Sequence, residues 1–396
     1  MTQHFKILKS NQPGYWLSLL LFTLLIVAGY GAAHYMETQG HWVSGMNNQI
    51  VWGLPHVFAI FLILAASGAI NVASLSSVFS KQGYKPWARM SALLAICLLI
   101  GGLLVLVLDL GRPERLIVAM TYYNFKSIFA WNIFLYTGFI FVVVLYLWTM
   151  FEHSMNKYTQ NAGLLAFVWR FVLTSGTGSI FGFLVARQFF DAAMMVPIFI
   201  VLSLVLGTSV FILVSLTVTR WDQTTISEET IFSLVRLLGI FIAAELFLVA
   251  VFHLTNLYAT EHHGVERFIL MDGGRYTRLF WLGQIVVGGM IPLGLIFLTR
   301  YGNKTVGAVV VSMLALAGSF SQLYVTIIGG QAYPLVLFPG KDVSSSFFDG
   351  VVAHYSPSMP ELLLGLGGFG LSLMLLVIVM RVLPFLPDIR AVQIKS

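Results

Sequence analysis

A cluster of ionisable side chains ends a long apolar run, in the segment LDLGRPERL at residues 108–116. The cluster consists of Asp109, Arg112, Glu114 and Arg115. The Gly and Pro between them are typical of a helix end. A carboxyl group at such a boundary could exchange protons. The arginines could hold it ionised or dock the acidic surface of a partner.

A histidine and several aromatic side chains are expected at the same depth as this cluster. An unperturbed imidazole titrates near pH ~6.5 and therefore suits proton exchange. Donors, aromatic walls and proton-exchanging groups are what the headgroup of a quinone needs from a pocket. The residues predicted to line such a pocket are His56, Trp52, Asp109, Tyr122, Tyr123 and Trp131.

Three charged residues fall within apolar runs. Arg170, Arg236 and Glu245 are each costly at the centre of a bilayer, which makes a partner or a function for them expected. We predict that one of the arginines pairs with Glu245, directly or through water. The pair would either fix the register of the helices or, together with His56 and Asp109, transfer protons.

The composition places the chain among membrane proteins. Its 396 residues are 58% hydrophobic and only 10% charged, and soluble domains carry about 25% charged residues. The net charge of +6 is spread over the segments between apolar runs, where it orients the chain in the bilayer. The basic balance therefore gives no indication of nucleic-acid binding.

The elements that must position these residues are about ten transmembrane helices, which makes the fold all-α. Apolar runs of about twenty residues without strand alternation must be helical, because lipid cannot satisfy an open backbone. The predicted spans are 14–34, 50–78, 88–110, 127–150, 161–187, 191–219, 230–257, 278–299, 304–329 and 360–385.

The distribution of lysine and arginine orients these helices. Lys and Arg are more frequent between spans on the N-terminal side, and the first opposite loop, 35–49, contains neither. The positive-inside rule then predicts a multi-pass protein of the bacterial inner membrane with both termini in the cytoplasm.

Four predicted outer loops are long, whereas the inner connections are short. Loops presented by a rigid scaffold often bind partners, so we expect a partner to dock on the outer face. The long loops are 35–49, 111–126, 258–277 and 330–359. The predicted units are 1–49 (helix and outer loop), 50–187 and 188–329 (four-helix bundles), and 330–396 (loop, last helix and tail).

The chain offers few ligands for a redox metal. Its single cysteine, Cys97, excludes cysteine-ligated iron–sulfur clusters and disulfides within the chain. Only His56 and His253 fall within spans, so one bridged haem is an alternative, but a subunit without haem or another metal fits better. Any iron–sulfur cluster would then belong to another subunit.

Several segments resemble the NrfD/PsrC family of quinone-reactive membrane subunits. LDLGRPER and the following YYNFKSIFAWNIF are similar to the family's signature, and SGTGSIFGFLVARQFFDAAMMVPIF continues the likeness. The C-terminal YSPSMPELLLGLGGFGLS is similar to the longer, ten-helix branch, which includes HybB-like and DsrP-like subunits.

The resemblance implies two four-helix bundles with flanking helices and a quinone site near the outer face of the first bundle. His56 matches the family's quinone-site histidine, and Asp109 and Arg112 match its acidic and basic positions. The family's asparagine three residues before the histidine is Gly53 here. Trp52, Asn47 or Asn48 could supply that polar contact instead.

The resemblance also implies partners and a function. A ferredoxin-type iron–sulfur subunit would dock over the quinone site, and a catalytic subunit (a molybdenum enzyme, a hydrogenase or an enzyme of sulfur metabolism) would lie beyond it. We expect this protein, which is non-catalytic alone, to exchange electrons and protons between membrane menaquinone or ubiquinone and the iron–sulfur partner. The alternatives are a proton-coupled secondary transporter and a redox-silent membrane anchor.

Overall fold

The structure, a computed structural model, describes residues 4–224, 226–299, 305–335 and 350–388. Ten helices in this part of the chain are long and apolar enough to cross a membrane, which confirms the predicted all-α integral membrane fold. They are α1 (Pro13–Gln39), α2 (Leu54–Ser77), α3 (Gln82–Leu108), α4 (Ile128–Phe151), α5 (His153–Gly182), α6 (Met195–Trp221), α7 (Glu228–Tyr258), α8 (Arg275–Leu298), α9 (Thr305–Ala332) and α10 (Met359–Val382).

Several of these helices are not uniform. Helix α2 is interrupted at Ile70, and α3 and α5 each begin with a tight 3₁₀ turn. Wide π-helical turns occupy Leu279–Met290 and Gly294–Leu298 of α8 and Val325–Gly329 of α9. Such turns are rare and frequently lie at functional sites.

Short elements connect the long helices. They are the 3₁₀ helices His41–Val43, Pro113–Arg115 and Thr260–His262, the α-helices Leu116–Thr121 and His263–Arg267, the π-helix Phe268–Asp272, and the strands β1 (Phe5–Lys6) and β2 (Leu386–Pro387).

The helix ends form two faces. We call the face at which α1, α3, α5, α7 and α9 end the His56 face, because α2 begins there with His56 in its first turn. The four loops predicted to be long all lie on this face, although 336–349 of the loop 330–359 falls outside the described residues.

Helix α2 is the centre of the packing. Its apolar window is fully buried, and it packs against α3 and α6. Helix α4 packs against α5, α8 against α9, and α6 against α5, α7 and α9. Helices α1 and α10 pack together and meet the rest through α2 and α3. The boundaries of the two four-helix bundles stay a prediction.

Two glycines let α2 and α6 approach closely. A Cβ atom added to Gly68 would collide with the backbone of Ser203, and one added to Gly207 would collide with the backbone of Gly68. Helices in membranes use small residues in this way because packing, rather than a hydrophobic force, holds them together.

The opposite face holds both ends of the described chain. Strand β1 pairs antiparallel with β2, and the Leu8 amide donates to the Met380 carbonyl oxygen at 2.8 Å. Lys6 Nζ lies 2.8 Å from Asp222 Oδ2, and this ion pair holds the two strands against the end of α6.

The largest difference from the predicted spans lies between α5 and α6. The sequence predicts helix through residue 187 and again from 191, but α5 ends at Gly182 and α6 begins at Met195. The intervening residues turn because Arg187 and Asp191 lie among them, and Arg187 binds backbone groups of two other segments.

Candidate functional site

The imidazole of His56 and the carboxylate of Asp109 meet at the His56 face. His56 Nδ1 lies 3.0 Å from Asp109 Oδ2, and the Asp109 side chain is 1% exposed whereas that of His56 is 25% exposed. No described residue donates a hydrogen bond to either carboxylate oxygen of Asp109. The carboxylate therefore keeps acceptor capacity for a proton or for a ligand hydroxyl.

Helix termini position both side chains. Pro55 at the first turn of α2 suits the start of a helix, and His56 follows it directly. Asp109 is the C-terminal cap of α3, where its amide still donates to the Val105 carbonyl oxygen at 3.0 Å. The close packing of α2 on α3 then brings the two side chains together.

A cavity of about 360 Å³ opens beside this pair. It is lined by His41, Trp42, Met46, Asn47, Val51, His56 and Asp109. Its volume lies in the usual range for small-molecule sites, about 300–1,000 Å³. Its walls combine apolar and aromatic side chains with an imidazole and a buried carboxylate, an arrangement that suits a flat apolar ligand with polar atoms at its edge.

The predicted wall residue Trp52 lies next to this site. Its ring centroid is 6.4 Å from that of His56 and 5.9 Å from that of Phe129 at the start of α4. The rings of Phe181 and Phe190 pack on it as well, at 5.5 and 6.2 Å. Trp52 therefore packs the start of α2 against the start of α4, the end of α5 and the turn that follows α5.

Two of the other three predicted aromatic residues, Tyr123 and Trp131, belong to a separate aromatic group. Tyr123 packs against Phe125 and Phe134, and Trp131 Nε1 donates to the Phe125 carbonyl oxygen at 2.9 Å. Tyr122 is 84% exposed. None of the three lines the cavity beside His56.

The charged residues after Asp109 do not hold its carboxylate. Arg112, Glu114 and Arg115 are all exposed, and among the described residues no ion pair joins either arginine to Asp109. The described structure therefore contains no direct ion pair behind the predicted support of Asp109, and the alternative role of these arginines in partner docking stays a prediction. The turn between them is tight, and the segment points its charges to the surface.

Polar side chains from distant elements hold the loop that precedes His56. Gln331 Oε1 accepts from the amides of Val51 (3.0 Å) and Trp52 (3.1 Å), and its Nε2 donates to the Trp52 carbonyl oxygen (3.0 Å). Arg187 donates to the carbonyl oxygens of Gln331 and Gln49. Burial lowers the pKa of Arg187.

A second set of contacts comes from the C-terminal part of the chain. The fully buried Glu361 accepts from the Tyr355 hydroxyl (2.7 Å) and from the amide of Gly45 (2.9 Å). The Tyr355 hydroxyl in turn accepts from the amide of Leu54, the first residue of α2, at 2.7 Å. Burial and then the Glu361 carboxylate raise the pKa of Tyr355, which keeps its proton in this contact.

These contacts explain the glycine at position 53. A Cβ atom there would collide with Glu361 Oε1 and lie 2.9 Å from the Tyr355 hydroxyl oxygen. The polar groups of Glu361 and Tyr355 occupy the space that a side chain at Gly53 would need. Asn47, which the sequence offers as a substitute, lines the cavity but uses Oδ1 to accept from the amides of Gln49 and Ile50.

The predicted direct pairing of Glu245 with an arginine is wrong. Glu245 Oε1 accepts from Gln322 Nε2 at 2.5 Å, and no described arginine forms an ion pair with it. Arg170 is 0% exposed and rests on the ring of Phe171 at 4.4 Å, with no hydrogen bond to its guanidinium among the described residues. Arg236 is exposed and lies over Phe232.

The two intramembrane histidines have different surroundings. His253 lies near the end of α7, and its Nδ1 is 2.6 Å from Glu266 Oε2, whereas His56 faces Asp109. No group of three or more His, Cys, Asp or Glu side chains that could hold a metal is found among the described residues.

Sequence reasoning missed four residues that shape the site. They are His41, Gln331, Tyr355 and Glu361. The pattern S-x-x-E at Ser358–Glu361 signals a helix start, and the structure has that capping box. That pattern does not reveal that the same glutamate reaches a loop more than three hundred residues earlier.

Comparison with known proteins supports the resemblance in the sequence. The family model for polysulphide reductase, NrfD matches residues 42–334. The Hdr-like menaquinol oxidoreductase integral membrane subunit of Archaeoglobus fulgidus is 26% identical over 99% of both proteins. A subunit of the selenate reductase of Mesobacillus selenatarsenatis is 23% identical over 93% of this protein and 94% of its own length. One polypeptide of the polysulfide reductase of Wolinella succinogenes is 25% identical over 72% of this protein and 96% of its own length.

Proposed function

The chain belongs to the polysulphide reductase/NrfD family, and we propose that it exchanges electrons and protons between a membrane quinone and an iron–sulfur partner subunit. In this proposal it is the membrane subunit of a respiratory oxidoreductase complex. Its relatives include subunits of menaquinol and polysulfide oxidoreductases, and that kinship supports the proposal.

The observation that carries the proposal is the His56–Asp109 pair at the edge of the cavity. The imidazole Nδ1 and the carboxylate Oδ2 are 3.0 Å apart. The carboxylate is buried, whereas the imidazole is partly exposed. A buried carboxylate that faces one ring nitrogen orients the imidazole and stabilises its protonated form. His56 then has Nε2 left for a ligand, and it can hold or release a proton there.

A bound quinone would supply coupled electron and proton chemistry at its carbonyl oxygens. His56 would bind one of these oxygens, and Trp42, Met46 and Val51 would cover the ring and exclude water. Asp109 would take the proton that His56 releases, because its oxygens receive no hydrogen bond from the described chain.

The iron–sulfur partner would dock on the His56 face. The exposed Arg112, Glu114 and Arg115 supply charges there, and the helix Leu116–Thr121 beside them exposes Ile117, Val118 and Met120. Under the predicted orientation this face is outside. The name of the Wolinella relative favours a sulfur compound as substrate of the catalytic subunit beyond it. The proton-transfer roles of Arg170 and Arg236 stay predictions.

The test is His56→Leu in the assembled complex. We expect quinone-linked turnover to fall by at least about a hundredfold, the usual contribution of a positioned acid–base group. Turnover is measured with a quinol analogue, and assembly is measured by co-purification of the partner subunits.

His153→Leu is the matched control, because His153 is an exposed histidine on the opposite face. It should keep the turnover of the unaltered complex. Full quinone-linked activity in His56→Leu would contradict the proposal and favour a redox-silent anchor, particularly if a quinone analogue did not bind the complex.

A further inference from the structure

A second acid–base cluster lies away from the His56–Asp109 pair, where α7 ends at the His56 face. Glu266 is fully buried, and its Oε2 lies 2.6 Å from His253 Nδ1. Its Oε1 accepts from Asn256 Nδ2 at 2.8 Å. A buried carboxylate with both oxygens engaged fixes the imidazole and stabilises it when it carries a second proton.

A lone carboxyl group lies deeper on the same helix. Glu245 is 7% exposed, its Oε1 accepts from Gln322 Nε2, and its Oε2 has no partner among the described residues. No cation forms an ion pair with it in the described chain. An ionised carboxylate without a countercharge is costly in a membrane interior, so the group is suited to hold a proton.

One small cavity lies at each of these sites. One, of about 20 Å³, is lined by Glu245 together with Gln284 and Gln322, and a second of the same volume is lined by His253 with the same two glutamines. A cavity that holds one water needs about 10–15 Å³ and polar partners, and both cavities meet these conditions. Among the described residues, Glu245 is the one titratable side chain that lines the first cavity, and His253 is the one that lines the second.

The spacing on α7 places the two groups along one side of the helix. Glu245 and His253 are eight positions apart in the sequence, which corresponds to a rise of about 12 Å. That separation is too long for direct transfer of a proton. Two waters, each held by Gln284 and Gln322, would divide it into short steps.

We propose that Glu245 holds a proton in the membrane interior and exchanges it with the His253–Glu266 pair through waters bound in these two cavities. The O–H bond of the Glu245 carboxyl breaks as a water accepts the proton. That water passes one of its protons to the second water, which in turn delivers a proton to the His253 imidazole, where a new N–H bond forms. No electron moves, and the return of a proton to Glu245 reverses each step.

The inference rests on the proposed function only for the reaction that would drive the movement of the proton. The wide turns of α8 and α9 support the route locally, because Gln284 lies within the turn Leu279–Met290 and Gln322 lies three residues before the turn Val325–Gly329. Wide turns displace side chains from the regular helical register and can open space between packed helices.

The test is infrared spectroscopy of the full complex during exchange from water into deuterium oxide. The unaltered complex should show the carbonyl band of a protonated carboxyl, and Glu245→Gln should lack it. In His253→Gln the isotope shift of this band should be slower by about a hundredfold, because the positioned acid–base group is gone. Glu266→Gln, which keeps the size of the side chain, should slow it as well.

His262→Gln is the matched control, since His262 is a buried histidine nearby that lines neither cavity. It should exchange at the unaltered rate. A missing band in the unaltered complex, or an unchanged rate in both His253→Gln and Glu266→Gln, would overturn the inference. Quinone-linked turnover, measured on the same samples, tests the proposed function separately, because either result can fail while the other holds.

Discussion

Asp109 keeps an ionisable side chain buried at a helix end without a hydrogen bond from the described residues. A buried carboxylate normally accepts several hydrogen bonds, because its removal from water is otherwise uncompensated. The partly exposed imidazole of His56 offers partial compensation through its 3.0 Å contact. The site therefore needs a proton or a donor from a ligand, which is what proton-coupled chemistry requires of it.

Asp109→Asn should separate proton transfer at this site from the binding of a ligand. The amide has nearly the shape of the carboxylate but cannot stabilise a protonated His56, so turnover should fall by on the order of a hundredfold while a quinone analogue still binds. Steady-state turnover and analogue binding in the purified complex measure the two effects.

The control for this variant is Asp272→Asn. Asp272 is an exposed aspartate on the same face, and it pairs with Arg267 at 2.7 Å. Surface pairs contribute little, so this change should leave turnover unaltered. Equal losses in both variants would show a general effect of charge at this face rather than a role for Asp109.

At the scale of elements, the start of α2 is held by segments far away in the chain. Gln331 at the end of α9 binds the backbone at Val51 and Trp52, and Tyr355 and Glu361 hold Leu54 and Gly45. Tyr355 and Glu361 lie beyond residues 42–334, which the family model matches. The C-terminal part of the chain thus positions the first turn of α2, which carries His56.

Glu361→Gln should loosen this turn. Buried donors left without a full partner cost about 1–3 kcal/mol, so the variant should lose stability and bind quinol more weakly. The temperature of half-inactivation and the KM for a quinol analogue are the two readouts. A rise in KM would distinguish positioning from a loss of stability alone.

Ser372→Ala provides the comparison on the same helix. Ser372 is fully buried and donates only within α10, to the Gly368 carbonyl oxygen. It should lower stability less and leave KM unchanged. If Glu361→Gln destabilises the protein without any change in KM, the contact does not position the site.

At the scale of the whole molecule, the orientation of the protein in the membrane can be measured by labelling introduced cysteines. The native Cys97 is buried, so the unaltered protein gives almost no background for an impermeant maleimide. With the N-terminus in the cytoplasm, Thr260→Cys on the His56 face should react from outside the cell. Ser154→Cys on the opposite face should react only after the membrane is opened.

Both positions are exposed: Thr260 lies in the short helix Thr260–His262 between α7 and α8, and Ser154 lies in the 3₁₀ turn that begins α5. Labelling of whole cells and of permeabilised cells measures the difference. The reverse pattern would place the His56 face inside and would contradict a partner docked outside.

Features that depend on local sequence could be predicted, whereas features that depend on contacts between distant residues could not. Ten spans follow from local hydropathy, and His56 and Asp109 follow from polar residues at one depth. Local hydropathy extends the fifth and sixth spans too far, because it does not reveal that Arg187 binds carbonyl groups distant in sequence. The sequence favours an arginine as the partner of Glu245, because a buried charge suggests an opposite charge. In the structure a neutral amide takes that place, and only the packing of α7 on α9 brings it there.

The contact between α1 and α10 has a consequence for biogenesis. Helix α1 is largely exposed along its length and packs chiefly against α10, and β1 pairs with β2 beyond it. Helix α1 leaves the ribosome before α10 and therefore has no packing partner in the lipid until α10 is inserted. Translation that stops before α10 leaves α1 without its neighbour and the amides of Gly45 and Leu54 without Glu361 and Tyr355. Assembly of the His56 face is thus coupled to the synthesis of α10.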